Sequence, residues 1–488
     1  MATSLSHITN AYYQTIATAA QSSQKDDPNY YHSRAHKLIA TSTVHSFETG
    51  TGDTIFNSLR PLLESTESEL IIVTCFWAKS SSLDTISAIL THLSQKAINQ
   101  GLDQIKVRIC FSSSSLFQKL FHTSNRNGQI VPPEKWEKDL GLPPASQLTG
   151  LDLEIKSVFF LPFSVMHPKF MLVDRKFVAL PSCNVSWEEW FEGCITLSGY
   201  KVINEFMKFY QAFWERHPHP EDTLHHDIQP EDPRFDPKDP PSEEAQVHSH
   251  GNVSINFLTS PTNSSITNIP TIFLPSPHHR WPSFQPLKRD PQVQAPRTPL
   301  NELLLRLLTT AQTRIRIQTP NLTSPPVLAA ILDALDRGVH VSITTSEKLM
   351  TLEQLVTAGT TTSRSLTKLI KRYEKLPLQP SSAYHSIPSD EESALPRPAR
   401  GELKVSYFTP LSSTSGEPQK SHFKMTVVDN VSIVLGSGNL DRASWFTSQE
   451  LGVVFFDRNL VTSVEGAVDL ALQGREKVVF CSRGWGRK

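Results

Sequence analysis

The sequence predicts a duplicated α/β protein, and three observations carry that expectation. A helix–strand–helix–strand run occupies residues 53–111 and returns over residues 299–345. A polar cluster of one fixed spacing follows each run. Between the halves, residues 217–250 are dense in Pro, Asp, Glu and His and poor in apolar side chains, so they read as an exposed linker. At 488 residues the chain has room for two or three domains and a full core.

Taken in order, residues 1–45 are polar and partly helical over Ile8–Ala20, an N-terminal extension. Asp53–Leu63 reads as a helix, Glu69–Ala78 as a buried strand and Leu83–Ala97 as an amphipathic helix with Ile86, Ile89, Leu90 and Leu93 on one stripe. Ile105–Phe111 is the next strand, and strand–helix–strand is a parallel crossover unit. Leu151–Phe160 is a strand, and Phe206–Trp214 a helix that closes the first half. After the linker, Val253–Leu258 reads as a strand, followed by Pro/Ser-rich sequence to about Thr298. The pattern then restarts with a helix at Pro299–Ala311, strands at Thr313–Thr319 and His340–Thr345, and a helix at Pro326–Arg337 with Gly338 just past its end. Met350–Tyr373 is largely helical, 377–400 is a second Pro/Ser/acidic loop, Lys404–Phe408 is a strand, and a last helix lies near Leu460–Leu472. The expected units are an extension at 1–45, a first domain at 46–216, a linker at 217–251, a second domain at 252–475 with insertions at about 260–298 and 377–400, and a tail at 476–488.

The chemistry concentrates in two stretches. Ser421–Asn439 reads as two strands around an Asp429-Asn430 turn, a dipeptide that hairpin turns favour. Residues two apart on a strand share a face, so His422 and Lys424 point one way, and Ser437 and Asn439 share a face on the return strand. An ammonium, an imidazole, a hydroxyl and an amide together suit a phosphate group. The stretch from His167 to Asn184 repeats this, with His167, Lys169, Asp174, Ser182 and Asn184 at the offsets of His422, Lys424, Asp429, Ser437 and Asn439. A lone His-x-Lys is more often a partly buried surface pair, but five polar positions repeated in register argue against accident. Asp174 and Asp429 fall at the opposite strand parity, which assigns them to holding the turns.

Composition bounds the partners. The formal net charge of −1 leaves no global basic field, which weakens a nucleic-acid partner. The five cysteines, Cys75, Cys110, Cys183, Cys194 and Cys481, have no paired spacing and read as buried thiols of a reducing compartment rather than metal ligands. The histidines of the linker read as a solvated loop. No apolar run is long enough to span a bilayer, and the N-terminus lacks a secretory pattern. The opening residues are acid-free but contain no Arg, which disfavours a mitochondrial address. The expected location is intracellular, cytoplasmic or peripheral to a membrane.

On these residues the chain resembles the phospholipase D superfamily, whose signature is His-x-Lys, four residues, Asp, and then Gly-Ser-x-Asn. Residues 313–343 also look like the cardiolipin-synthase-type branch, with a strand ending in Thr-Pro and a later helix ending in Arg-Gly-Val. The resemblance implies two α/β/α lobes in pseudo-twofold arrangement, with both motifs at one shared active site that a monomer completes. It implies metal-independent, cofactor-free phosphodiester transfer through a phosphohistidine on a phospholipid reached at a membrane surface. In many members the first-copy His is the nucleophile, which would give that role to His167 and acid/base work to His422. Lys169 and Lys424 would neutralise the phosphate, Ser182, Asn184, Ser437 and Asn439 would donate to its oxygens, and a later carboxylate would orient each His. Glu450 stands where that carboxylate belongs; in the first copy Glu192 is the best match and Glu189 a competitor. Pro181 departs from the pattern where the second copy has Gly436. The aromatic pairs Trp190-Phe191 and Trp445-Phe446 either line an acyl-chain channel or pack as core. The alternatives are a nuclease of the same superfamily and a weakly catalytic phospholipid- or partner-binding member.

Overall fold

The computed structural model describes residues 12, 14–18, 36–114, 128–159, 165–215, 246–248, 252–257, 266–277, 295–377 and 399–482. Most of the linker at 217–251 and of the insertions at 260–298 and 377–400 therefore lies outside the described residues.

The first lobe is built on strands β1 (Ile39–Gly50), β2 (Glu69–Phe76), β3 (Ile105–Ser113), β4 (Gln129–Ile130), β5 (Leu151–Ser157), β6 (Phe170–Val173), β7 (Phe177–Pro181), β8 (Trp190–Ser198), β9 (Gln246–His248) and β10 (Asn252–Asn256). Their pairing runs β4-β5-β3-β2-β6-β7-β8-β1-β10-β9, with β5, β3 and β2 parallel and the rest antiparallel. The second lobe has β11 (Ile269–Ser276), β12 (Arg314–Gln318), β13 (His340–Thr345), β14 (Leu403–Phe408), β15 (Lys420–Ser421), β16 (Met425–Val428), β17 (Ser432–Gly436), β18 (Glu450–Phe456) and β19 (Glu476–Cys481). Here the order is β19-β14-β13-β12-β16-β17-β18-β11, again with one parallel trio, β14, β13 and β12. The seven-strand series β5-β3-β2-β6-β7-β8-β1 thus repeats as β14-β13-β12-β16-β17-β18-β11. The two sheets join where β1 pairs antiparallel with β11, Ile39 opposite Ile272 and Ser42 opposite Ile269, next to the pseudo-twofold axis.

Both faces of the first sheet are buried, as a crossover architecture requires. Leu70, Ile72, Met171 and Val173 face the helices Gly52–Glu64 and Ser81–Gln100, while Ile71, Val73, Phe170 and Leu172 face the core shared with the second lobe. Ser80 caps the second of these helices by accepting from the Leu83 N–H at 3.2 Å, and Gly101 ends it at φ 61°. The helices Tyr200–Tyr210 and Arg458–Ala471 hold equivalent places after β8 and β18, and both pack on β1 or its neighbours.

Several segments differ from the sequence reading. Residues 39–45, read as part of a polar extension, are the first half of the twelve-residue strand β1. Its Ser and Thr side chains disguise it, because two of them are satisfied in cross-strand pairs: buried Ser42 with Thr271 at 2.7 Å and half-buried Ser46 with Thr196 at 2.6 Å. Ile269–Ser276, read as Pro/Ser-rich insertion, is the central strand β11. Its Pro275 sits beyond the stretch paired to β1, which ends at Ile272, so its missing N–H costs no bond there. Glu476–Cys481, read as tail, is the edge strand β19 on β14. The helix read as Phe206–Trp214 begins at Tyr200 and ends at Tyr210, with one wider turn over Gln211–Glu215.

The two Asp turns staple each hairpin to its sheet. Asp174 and Arg175 take φ 49° and 54°, and Asp429 and Asn430 both take 54°, the left-handed central pair of the turns closed by the Lys176 N–H on the Val173 carbonyl and the Val431 N–H on the Val428 carbonyl. Asp174 accepts from the backbone N–H groups of Glu67, Ser68 and Glu69 at 2.8–2.9 Å, where β2 begins. Asp429 does the same for Gln312, Thr313 and Arg314 at 2.8–3.0 Å, where β12 begins. Replacing Asp429 by Ala removes the acceptor for three backbone N–H groups and the Thr313 hydroxyl, and leaves a Cβ residue at positive φ without a local polar partner. Urea unfolding should show a loss of about 2–4 kcal/mol, and Asp429→Asn, which tolerates the turn and keeps one acceptor, should lose less.

Candidate active site

The site forms where the lobes exchange backbone hydrogen bonds. Met166 bridges in parallel to Gln449 beside β18, and the His167 N–H donates to the Gln449 carbonyl at 3.0 Å. Symmetrically, β15 pairs in parallel with the start of β8, and the His422 N–H donates to the Phe191 carbonyl at 2.9 Å. Each His-bearing segment therefore lies beside the Glu-bearing strand of the other lobe. His167 Nδ1 is 2.9 Å from Glu450 Oε2, and His422 Nδ1 is 2.7 Å from Glu192 Oε1. The two imidazole rings face one another with centroids 6.4 Å apart and planes at 88°.

His-x-Lys is extended in both copies but precedes the hairpin strands rather than lying in them. Lys169 Nζ donates to its own motif's His167 carbonyl at 2.9 Å. Lys424 Nζ donates to the His422 carbonyl at 2.5 Å and lies 2.8 and 2.9 Å from the two ring nitrogens. Both ammonium groups are buried.

The serines do not face the cleft. Ser182 Oγ donates to Glu192 and accepts from the Gly193 N–H at 2.9 Å. Ser437 Oγ donates to Glu450 at 2.5 Å and accepts from the Leu451 N–H at 3.0 Å. Their hydroxyls are committed to the carboxylates, which corrects the expectation that they donate to a phosphate. Period-two reasoning does not reach these residues, because the strands end at Pro181 and Gly436, just before the serines, and β8 and β18, which carry the glutamates, escaped the sequence reading. Ser444 Oγ adds a 2.6 Å bond to the other oxygen of Glu450. The amides do line the cleft: Asn184 and Asn439 border a cavity of about 200 Å³ together with His167, His422, Trp190 and Glu450.

Glu192 is the first-lobe carboxylate that reaches an imidazole. Glu189 instead binds the loop after β14, accepting from the Gly416 N–H at 2.7 Å and Ser415 Oγ at 3.1 Å. Asp174 and Asp429 lie at the far hairpin ends and do not border the cavity. Of the aromatics, Trp190 lines the cleft with its ring centroid 4.7 Å from that of His422, while Phe191, Trp445 and Phe446 are core. The sequence-level match of Trp190-Phe191 to Trp445-Phe446 is not a structural one: Trp190 opens β8, whereas Trp445 lies within a short helix, Arg442–Phe446.

Pro181 and Gly436 end equivalent strands with different backbones. Gly436 has φ 154°, and a Cβ there would meet the Leu451 carbonyl oxygen at 2.3 Å. Pro181 pairs with Cys194 in an ordinary ladder, yet the Ser–Glu–His chain after it matches the second copy. Gly193 serves the lobe contact: a Cβ on it would lie 2.4 Å from the Phe423 ring.

Burial dominates the electrostatics. It pushes His422 down to about 3, assisted by Lys424 and opposed by Glu192. It lowers His167 as well, with Glu450 opposing and Lys169 assisting. Burial works to raise Glu192 and Glu450, but the facing imidazole and the hydrogen bonds from His and Ser outweigh it and hold both below the usual carboxylate range. Lys424 is brought down to about 7 by burial. With Nδ1–H donated to a carboxylate, each neutral imidazole keeps its lone pair on Nε2. Among the described residues no three His, Cys, Asp or Glu side chains are gathered in a metal-binding group. Cys75, Cys110, Cys183 and Cys194 are buried thiols, and Cys481 is exposed. Among the described residues no helix is long and apolar enough to cross a membrane.

Residues 304–469 match the family model described as cardiolipin synthase, PLD-like domain. No curated protein matches the chain in sequence. Among solved structures it is similar to phosphatidylserine synthase of Haemophilus influenzae Rd KW20, with a TM-score of 0.54 and 13% identity, covering 92% of this chain and 91% of that one. A phospholipase D family member, Nuc from Salmonella typhimurium, aligns over 37% of this chain and 90% of its own at 19% identity, with a TM-score of 0.25. Polyphosphate kinase from Porphyromonas gingivalis aligns over 88% and 47% at 9% identity, with a TM-score of 0.43. Residues 304–469 thus form a domain of the cardiolipin synthase, PLD-like family, and the first lobe repeats its sheet order and its His-x-Lys-x₄-Asp spacing.

Proposed function

We propose that the protein is a phospholipase D-type phosphodiesterase or phosphatidyltransferase acting on phospholipids through a phosphohistidine. The observation that carries this reading is the pair of crossed His–Glu contacts whose rings face each other 6.4 Å apart across the cleft. One imidazole on each side of a phosphorus atom suits in-line displacement, with one attacking and the other meeting the leaving oxygen.

His167 is the nucleophile in this scheme, because its side chain is 15% exposed against 3% for His422 and so has the better access to the cleft. Its Nε2 lone pair forms the N–P bond as the P–O bond to the head group breaks. His422 delivers its Nε2 proton to the departing alkoxide. It then takes a proton from water or an acceptor alcohol, whose oxygen attacks phosphorus as the N–P bond breaks and His167 is regenerated. The products are phosphatidic acid or a phosphatidyl-alcohol. In the resting site His422 is neutral. The anionic phosphodiester, arriving beside Lys169 and Lys424, offsets their positive charge and lifts the imidazole pKa, which is how His422 comes to hold a proton. The lysines then stabilise the charge that builds on the equatorial oxygens, with Asn184 and Asn439 as amide donors. The charge compensation comes from side chains, so turnover should survive EDTA.

Purified protein incubated with phosphatidylcholine and phosphatidylglycerol vesicles plus a primary alcohol should yield phosphatidic acid and phosphatidyl-alcohol. His167→Ala and His422→Ala should each lower turnover by roughly 10²–10⁴ with the circular dichroism unchanged. Single-stranded DNA cleaved without lipid turnover would move the protein to nuclease chemistry, and unaltered activity in both variants would sink the two-His mechanism.

The acid limb of kcat/KM should lie below the ordinary His value of about 6.5, because His167 is lowered and only its protonated form lacks a lone pair. Glu450 raises the His167 pKa, so Glu450→Gln should move that limb to still lower pH while reducing kcat.

Ser437→Ala should lower kcat about tenfold, the loss of one buried hydrogen bond to a charged group, at nearly constant KM. Asn439→Ala, which alters the cleft wall, should raise KM; the reverse pattern would return Ser437 to a phosphate-binding role.

A further inference from the structure

The helix Thr351–Ala358 at the mouth of the cleft is built inside out. Its buried positions are polar, Gln354 and Thr357, and its outward positions are apolar: Leu352 is 76% exposed, Val356 47% and Leu355 39%, with Met350 just before it at 39%. The inward face is held by hydrogen bonds rather than by packing. Gln354 Nε2 donates to Asn321 Oδ1 at 2.8 Å and to the Leu349 carbonyl at 2.6 Å. Gln354 Oε1 accepts from the Thr362 N–H at 2.6 Å and its hydroxyl at 2.9 Å. This network fixes the helix so that its i, i+3, i+4 apolar set, Leu352, Leu355 and Val356, faces away from the protein. A soluble helix normally has the opposite orientation, and a contiguous outward apolar stripe marks an interaction surface.

What meets this stripe follows from its position. Met350 and Glu353 border the cavity that holds His167 and His422, so the stripe is continuous with the cleft mouth. The other lobe contributes Trp187, 68% exposed and adjacent in the chain to Glu188, which also borders the cavity. The cavity, about 200 Å³, is below the ~300–1,000 Å³ of sites that enclose a whole drug-sized ligand. It has room for a phosphodiester head group and none for two acyl chains, which must remain outside against whatever surrounds the mouth. We propose that Leu352, Leu355 and Val356, with Trp187 opposite, form an apolar lip that inserts into the surface of a phospholipid bilayer and presents the cleft to head groups in place. This rests on the phospholipid reading above for its partner, and it adds the surface by which that partner is met.

The test is flotation of the full-length protein with extruded phosphatidylcholine–phosphatidylglycerol vesicles, read as a partition coefficient and independent of turnover. The wild type should float with the vesicles. The double variant Leu352→Ser, Val356→Ser should lose at least roughly tenfold in partition coefficient, since two outward apolar side chains no longer enter the lipid. Its circular dichroism should be unchanged, as should its turnover of a short-chain, monomeric phosphatidylcholine. Leu470→Ser, which removes an apolar side chain 39% exposed on the helix Arg458–Ala471, should bind like wild type. Equal vesicle binding by the double variant, or no binding by the wild type, overturns the proposal. So does a wild-type dimer in sedimentation that the double variant abolishes, because the stripe would then be a contact between copies. Vesicle binding that depends on Leu352 and Val356, without turnover of any phospholipid, would uphold the lip and refute only the enzymatic reading.

Discussion

The site depends on a reciprocal exchange of main-chain hydrogen bonds between the lobes. His167 leans on β18 through the Gln449 carbonyl, and His422 leans on β8 through the Phe191 carbonyl. Because those strands carry Glu450 and Glu192, each imidazole meets the carboxylate of the opposite lobe. Everything else supports that crossing. The serines at the ends of β7 and β17 pin the carboxylates, Gly193 makes room for Phe423, and the β1–β11 junction sets the two sheets about the axis. Backbone bonds between strands fix position to within tenths of an ångström, which buried side chains alone would do less well.

The motif spacing has a mechanical reading. His and Lys stand before a four-residue strand, and Asp stands at the turn just past it. The strand carries the reactive end to the cleft while Asp174 or Asp429 ties the other end to three amides at the start of β2 or β12. The carboxylate that is most constant in spacing is thus the one furthest from the cleft, anchoring the register on which the His and Lys positions depend.

The duplicated architecture was legible because its signals are local: strongly apolar strands such as Glu69–Phe76, an amphipathic stripe such as Ile86-Ile89-Leu90-Leu93, and a polar cluster repeated in register. What was not legible is non-local. Nothing within the stretch from His167 to Asn184 says that its imidazole pairs with residue 450, since that partner is set by the docking of lobes far apart in sequence. Strand β1 hid behind Ser and Thr because hydroxyls satisfied across strands are as buryable as apolar groups but look like loop. Strand β11 hid behind two prolines that look like loop, although Pro270 stands opposite Thr41 of β1 and Pro275 opposite Leu451 of β18. Ser182 and Ser437 were read as strand residues facing a ligand, but they follow the strand ends and turn to a carboxylate; a hydroxyl aimed at a carboxylate and one aimed at a ligand have the same sequence.

A covalent tether between the halves has a consequence for how they diverge. Two identical copies associating about an exact axis must change both half-sites whenever either one changes. Here Pro181 and Gly436, Trp190 and Ser448, and a 15% against a 3% exposed imidazole occupy related positions in one chain. A single chain is free of that symmetry constraint while the crossed contacts keep the halves inseparable, so one imidazole opens toward the solvent while its counterpart lies beneath an indole. Neither half holds a complete His–Glu pair of its own, and a division of labour became available that a symmetric dimer cannot encode.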